Sequence, residues 1–169
     1  MKKKVYKAFN EQVQAELYSA YMYLAMSLDM EAKNFKGMAH WLKAQYEEER
    51  EHAFKLMGFM QDCGEKPELL AIEAPAADYG TPLELFKKVL EHEKYVTSLI
   101  NTIYAAAYED QDFRTMQMLD WFVKEQGEEE KTASDMITKM ELFGDDAKGL
   151  YMLNSEMLGR TYSAPSLTL

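Results

Sequence analysis

The amino-acid sequence predicts an all-α chain: a four-helix bundle with one long crossover between its second and third helices and a short fifth helix at the C-terminal end. Three observations carry that prediction. Only 8 of the 169 residues are Gly and 4 are Pro, while the good helix formers Glu, Lys, Ala, Leu and Met abound. Four long stretches space their apolar residues close to the 3.6-residue helical period. A single long stretch, residues 64–80, collects Gly64, Pro67, Pro75 and Gly80 and breaks that pattern.

The first helix is expected over residues 4–33, its seam running Phe9, Val13, Glu16, Ala20, Tyr23 and Ser27. Its other face (Tyr18, Tyr21, Met22, Ala25) is apolar too. A helix apolar on two sides is buried on two sides, here one against the bundle and one against a neighbouring subunit. Asn34-Phe35-Lys36-Gly37 reads as a short turn, so the second helix, 38–62, returns antiparallel. Cys63-Gly64 ends it, with Gly as the usual C-terminal cap. Helices of this length span ~40 Å, and the crossover can reach ~55 Å when extended. The second and third helices are therefore expected to run parallel. Thr81-Pro82-Leu83-Glu84 opens the third with a capping box and Pro at the first helical position. That helix continues to residue 109 through Phe86, Val89, Leu90, Glu93, Val96, Ile100 and Ile103. Asp110-Gln111-Asp112 leads into the fourth helix, 113–142, whose seam includes Met118, Leu119, Phe122, Gln126, Glu129, Ala133 and Met140. Phe143-Gly144 closes it, and Asp145-Asp146 starts the fifth helix to residue 158, acidic at its N-terminus as the helix dipole prefers. Residues 1–159 thus read as one domain and 160–169 as a loose C-terminal tail.

A net charge of −10 disfavours non-specific nucleic-acid binding. The one cysteine, Cys63, excludes an internal disulfide framework and suits a reducing compartment; it reads as inert. Met1-Lys2-Lys3-Lys4 is followed by an amphipathic segment rather than the apolar run of a signal peptide. No run of apolar residues is long enough to span a membrane. The expected location is the cytoplasm.

The chemistry is carried by residues that break the apolar seams. Glu49 and His52 stand three apart, on one helix face and about 5–6 Å apart at Cβ, where a carboxylate and an imidazole can close on one metal ion. Both lie on the seam of Leu42, Tyr46, Ala53, Leu56 and Phe59, where an uncompensated charged pair is costly. Glu16, Glu93, Gln126 and Glu129 sit mid-seam on the other three helices, so all six should meet at one level of the bundle. Without metal, four carboxylates and an imidazole there would repel one another and raise their pKa values. A pair of divalent ions removes that penalty, and Glu49 is the natural bridge between them. Oxygen-rich ligation with one imidazole fits Fe(II) or Mn(II), with Zn(II) as a competitor. By contrast, Glu51 and Glu130 read as solvated helix faces, and His40 and His92 as surface or turn-adjacent residues.

Asn10-Glu11-Gln12, Glu16-Leu17-Tyr18-Ser19, Glu48-Glu49-Arg50-Glu51-His52, His92-Glu93, the run Trp121 to Lys131 and Gly149-Leu150-Tyr151, in that order and spacing, resemble the bacterial non-haem ferritins over nearly the whole chain. The general ligand set of ferritin-like di-metal bundles is two single Glu and two Glu-x-x-His pairs. This chain departs from it with Gln126-Gly127-Glu128-Glu129, which lacks the second imidazole and so holds one metal more loosely. The resemblance implies a ferroxidase centre in each subunit of a hollow twenty-four-subunit shell. There Fe(II) is oxidised by O2 or H2O2 and stored as Fe(III) oxide-hydroxide mineral. It implies Glu16, Glu49 and His52 at a first iron with Gln126 close by, and Glu49, Glu93 and Glu129 at a second. It further implies Glu48, Glu125, Glu128 and Glu129 at a third iron, and Tyr23 and Trp121 as electron donors beside the centre. Gly127, costly by about 1 kcal/mol in a helix interior, raises the question of whether that third site is loosened.

Haem is not expected, because the helix position where bacterioferritins commonly carry a haem-binding methionine is Arg50. A rubrerythrin-like peroxidase needs a Cys-x-x-Cys segment, which a single cysteine cannot supply. A mini-ferritin-type peroxide-detoxifying protein would lack the fifth helix, and a plain scaffold leaves the buried carboxylates unexplained. The main alternative is a di-iron oxidase acting on a small organic substrate, which needs a pocket beside the irons.

Overall fold

The computed structural model describes residues 1–162, and among these it contains five helices and no strand. α1 (Lys3–Ala32), α2 (Lys36–Asp62), α3 (Pro82–Glu109) and α4 (Phe113–Phe143) form the bundle, and α5 (Ala147–Met157) packs against α2 and α4. α2 begins two residues earlier than the sequence pattern suggests. Asn34 adopts a left-handed conformation (φ 66°) and completes the reversal before Lys36; Asn tolerates that region because its short side chain bonds locally. Gln111 (φ 55°) makes the corresponding reversal between α3 and α4. At Thr81 the capping box forms as predicted, its hydroxyl accepting the Glu84 N–H while the Glu84 carboxylate accepts the Thr81 N–H.

Gly37 is required by a close approach. A Cβ there would lie 1.5 Å from the Asn154 carbonyl oxygen on α5. In that contact Asn154 Oδ1 accepts the N–H groups of Gly37 and Met38 at 3.0 and 3.1 Å, satisfying donors that a helix start leaves orphaned. Gly37→Ala is therefore expected to push α5 off α2 and lower stability by about 1–3 kcal/mol, the scale of overpacking. Thermal melting checks this, and an unchanged transition would mean that the close approach is not made.

The crossover runs the length of α1. Tyr6 OH donates to the Lys66 carbonyl (2.8 Å), the Glu68 N–H to Asn10 Oδ1 (2.8 Å), Gln14 to the Ala71 carbonyl, and the Tyr79 N–H to Asp29 Oδ2 (3.0 Å). Lys33 closes the far end on Asp78 and the Gly80 carbonyl. α3 consequently starts at the end where α2 starts, and the two run parallel as expected. Among the described residues no helix is long and apolar enough to cross a membrane.

The core is in two halves. One gathers Met26, Met30, Met38, Leu42, Leu85 and Phe86; the other gathers Val5, Phe9, Leu56, Phe59, Ile100 and Phe122. Met22, placed on the outer face by the sequence pattern, is instead buried in the first half, where α1 packs against the rest of the bundle. Tyr21 and Leu28 do lie outside, 45% and 64% exposed. Between the halves sits a layer of buried polar side chains: Gln12, Glu16, Ser19, Gln45, Glu49, His52, Glu93, Gln126 and Glu129.

Candidate metal centre

All six seam-breaking residues come together in that layer, none more than 8% exposed. Glu16, Glu49 and His52 converge most tightly, offering one ligand atom each with all three atoms within 4.8 Å of one another. His52 Nδ1 lies 3.8 Å from Glu16 Oε2 and 3.7 Å from Glu49 Oε2, too far for hydrogen bonds. Glu16 Oε2, Glu49 Oε1 and both His52 ring nitrogens are buried with no hydrogen-bond partner among the described residues. Buried polar atoms are almost always paired. Two carboxylates and an imidazole aimed at one another without partners form the donor set of a divalent metal ion. Around them, Trp121 and Phe122 set their rings edge-on to His52 at 5.5 and 5.9 Å and fix the imidazole plane.

The other half of the layer is hydrogen-bonded. Tyr23 OH donates to Glu93 Oε1 at 2.5 Å. Gln126 Nε2 donates to Glu93 Oε2 and to the Glu93 carbonyl, both at 3.2 Å, and to Thr97 Oγ1 at 3.3 Å. Gln45 Nε2 donates to Glu129 Oε2 at 3.0 Å, and Gln12 Nε2 to Glu16 Oε1 at 2.7 Å. Gln126 thus orients Glu93 by its amide NH2 group, where a histidine would have offered a ring nitrogen to a metal.

The electrostatics follow from burial and crowding. Burial, then the charge of Glu93, holds the Glu49 carboxyl well above the ordinary range. Burial lifts Glu93 to about 7 and, reinforced by the charge of Glu93, lifts Glu129 to about 8. Burial would depress His52, but the carboxylates of Glu16 and Glu49 overcome it and keep the imidazole protonated well above its usual value. The same imidazolium, with the Gln12 amide, overcomes burial at Glu16 and lowers it. Burial and the neighbouring carboxylates push the Tyr23 phenol well up. Protons therefore occupy positions that cations can take.

The residues implied for a third iron are arranged differently. Glu129 belongs to the buried layer. Glu48 is mostly buried and paired with Arg160. Glu125 is half-buried, and its charge raises Glu48. Glu128 is exposed and pairs with Lys124 at 3.3 Å. Gly127 is exposed, with nothing within 4 Å of an added Cβ. Gly127→Ala is thus expected to stabilise the chain by up to about 1 kcal/mol, read as a higher melting temperature with unchanged metal binding.

Glu130 and His92 depart from their sequence reading, whereas His40 lies at the surface as read. Glu130, read as solvated, is half-buried and accepts the Thr97 hydroxyl at 2.6 Å, because α3 packs against α4 there. His92 is half-buried, with Nε2 2.6 Å from Ser19 Oγ. His40 is exposed, and its Nε2 donates to the Arg160 carbonyl at 2.7 Å. Burial pushes the Cys63 thiol up, which suits an inert cysteine. Sequence reasoning missed Gln12, Gln45 and Thr97, although a signal existed: each lies four residues from a ligand candidate on the same helix face. Arg160 carried no such signal, being 112 residues from Glu48.

A four-helix bundle with one crossover and a midplane of converging carboxylates around a single imidazole defines the class: a carboxylate-rich metal-binding bundle. The comparisons place it further. The ferritin family's model, a ferritin-like domain, matches residues 6–143, and the chain belongs to that family. It is 36% identical over 157 residues to the bacterial non-heme ferritin of Escherichia coli O157:H7, covering 93% of this chain and 95% of that protein. It is 36% identical over 153 residues to a probable bacterial non-heme ferritin-like protein of Haemophilus influenzae, covering 90% and 93%. An open-pore ferritin from the archaeon Archaeoglobus fulgidus superposes with a TM-score of 0.94 at 37% identity, over 95% of this chain and 99% of that one.

Proposed function

We propose that this chain is an iron-storage ferritin: a ferroxidase that oxidises Fe(II) with O2 or H2O2 and deposits Fe(III) oxide-hydroxide inside a homo-oligomeric shell of twenty-four copies in the cytoplasm, without haem. The observation that carries this reading is the unpartnered, buried Glu16–Glu49–His52 donor set at the bundle midplane. Membership of the ferritin family and the names of the relatives support it.

In this reading Fe(II) is the substrate. Glu16, Glu49 and the Nδ1 atom of His52 hold one ion. Glu49 also serves a second ion, with Glu93 and Glu129. Two Fe(II) each give an electron to O2, which takes up two protons to become H2O2. Loading displaces the protons of Glu93, Glu129 and His52, so the same groups that admit the cation hand protons on. Gln126 holds Glu93 through its amide and leaves that side with one strong donor fewer, which suits an ion that must move on. Tyr23 is a neutral phenol at physiological pH, with Glu93 ready to accept its proton. Tyr23, with Trp121 beside His52, is placed to supply an electron to reduced oxygen species.

Assembly is supported by exposed apolar side chains near α5, where Leu142, Phe143, Tyr151, Met152 and Leu158 are each at least half exposed. Such patches mark protein contacts. An organic substrate would need a pocket that reaches the ligand residues. One cleft of about 390 Å³ opens beside Tyr18 and Tyr95, one of 470 Å³ beside Tyr104 and Tyr108, and one of 570 Å³ beside Phe143 and Tyr151; none of the three is lined by a ligand residue. The test is aerobic addition of Fe(II) to iron-free protein. Soluble uptake far beyond the number of ligand sites per chain is expected. Uptake that stops once those sites fill, with O2 consumed only when an organic co-substrate is added, would replace storage with oxidase chemistry.

A further inference from the structure

Arg160 lies beyond α5, at the start of the segment read from sequence as a loose tail, of which residues 163–169 lie outside the described residues; Arg160 itself is held in place. Its guanidinium donates to Glu48 Oε2 and stacks 4.4 Å from the centroid of Trp41. Its carbonyl accepts the His40 Nε2 proton at 2.7 Å. The two charged side chains are 20% and 16% exposed, so this is a mostly desolvated pair rather than a surface contact. Its position is unusual. Glu48 directly precedes Glu49 and turns toward the side of the bundle where Glu125 and Glu129 also contribute charge; the Arg160 charge is felt at Glu129 as well as at Glu48. A guanidinium stands among carboxylates that would otherwise attract a free cation.

We propose that Arg160 is a built-in, displaceable counter-cation for Glu48. A divalent ion can use the Glu48 carboxylate only when the Arg160 guanidinium has swung off it. This rests on the ferroxidase reading for the traffic it would control, but not for its own test. Two cations sharing one half-buried carboxylate would repel each other within a few ångströms, so guanidinium and divalent ion occupy it in turn. The indole of Trp41 makes the arrangement reversible, since a planar guanidinium rests on an aromatic face when its carboxylate is taken. The guanidinium is free to swing because Arg160 joins the bundle through α5, its N–H on the Met157 carbonyl, and among the described residues its side chain is held by Glu48 and Trp41 alone. On this view the centre fills first, and an ion beyond it is admitted late and held weakly until Arg160 moves.

The test uses the full assembled protein, iron-free, titrated with Zn(II), which binds carboxylate and imidazole without redox chemistry. Trp121→Phe serves as background so that Trp41 is the one tryptophan, excited at wavelengths where tyrosine does not absorb. Ion binding is followed by calorimetry and Trp41 fluorescence together. In that background Trp41 emission should stay constant while the six-residue centre fills and should shift with the next ion. Arg160→Gln should bind that next ion about tenfold more tightly, the scale of removing one close charge, with no further shift of Trp41. Arg160→Lys keeps the charge but loses the planar stack, and should fall between the two. Equal affinity for that ion in the parent and Arg160→Gln would overturn the proposal, as would Trp41 emission that never follows ion binding. If Arg160 only anchored the tail, Arg160→Gln would lower the melting temperature and leave the ion affinities alone. If the parent bound no ion at Glu16, Glu49 and His52, the ferroxidase reading would fall, while the comparison at Glu48 would still decide the role of Arg160.

Discussion

Glu49→Ala is expected to slow aerobic Fe(II) oxidation by at least about a hundredfold, in protein that still folds. Outer-shell partners of a metal site already account for 10–100-fold when removed, and Glu49 is nearer than that to both halves of the layer. One of its oxygens lies 3.7 Å from His52 Nδ1, and its charge couples to Glu93 on the other side. Removing it takes a donor from both proposed ions at once. His52→Ala should have a comparable effect, since it removes the one imidazole in the layer. Glu51, half-buried and 3.9 Å from Arg50 on the other side of α2, provides the control: Glu51→Ala should oxidise iron at the parent rate. A stopped-flow comparison of ferric absorbance decides it. A Glu49→Ala rate within a few-fold of the parent would remove Glu49 from the centre.

The bundle was legible because its information is local. Helical period, the Thr81-Pro82 start and the Gly- and Pro-marked crossover each lie within a few residues of what they determine. The departures have physical causes of longer range. α2 starts early because of the conformation of one residue, Asn34. Met22 is buried because of how α1 packs against the rest of the bundle. The six ligand candidates were legible for a different reason: acids and amides on apolar seams violate the pattern unless something gathers them. Periodicity fixed their face and depth, which is enough to predict convergence, but not which atoms bond. Only the structure separates the unpartnered Glu16–Glu49–His52 set from the hydrogen-bonded Tyr23–Glu93–Gln126 set. It also adds the supporting amides of Gln12 and Gln45. Arg160 shows the limit: a contact across 112 residues depends on where α5 delivers the chain.

Metal-free protein should become less stable as pH rises from about 4.5 to about 8, and saturating Zn(II) should reverse the trend. In the folded chain Glu93 keeps its proton up to about 7 and Glu129 up to about 8, both above the 4.5 of an ordinary glutamate. Between those limits the folded state binds protons that the unfolded state has already lost, so unfolding becomes more favourable with every increment of pH. Their contribution is complete below the ordinary carboxylate range and gone above the folded values. Each group adds a slope of up to about 1.4 kcal/mol per pH unit. His52, raised by Glu16 and Glu49, acts in the same sense above its ordinary 6.5. Glu16, lowered by the same imidazolium, opposes it only as pH falls below 4.5. A divalent ion takes the place of these protons, so its binding tightens as pH rises and releases protons into solution. Melting curves at fixed protein concentration between pH 5 and 8.5, with and without Zn(II), should therefore diverge toward alkaline pH. Proton release on Zn(II) addition at pH 7 should be measurable in weak buffer. Parallel curves would mean that the buried carboxylates are already ionised without metal, and the layer would then be held together by its amides and Tyr23 rather than by protons awaiting a cation.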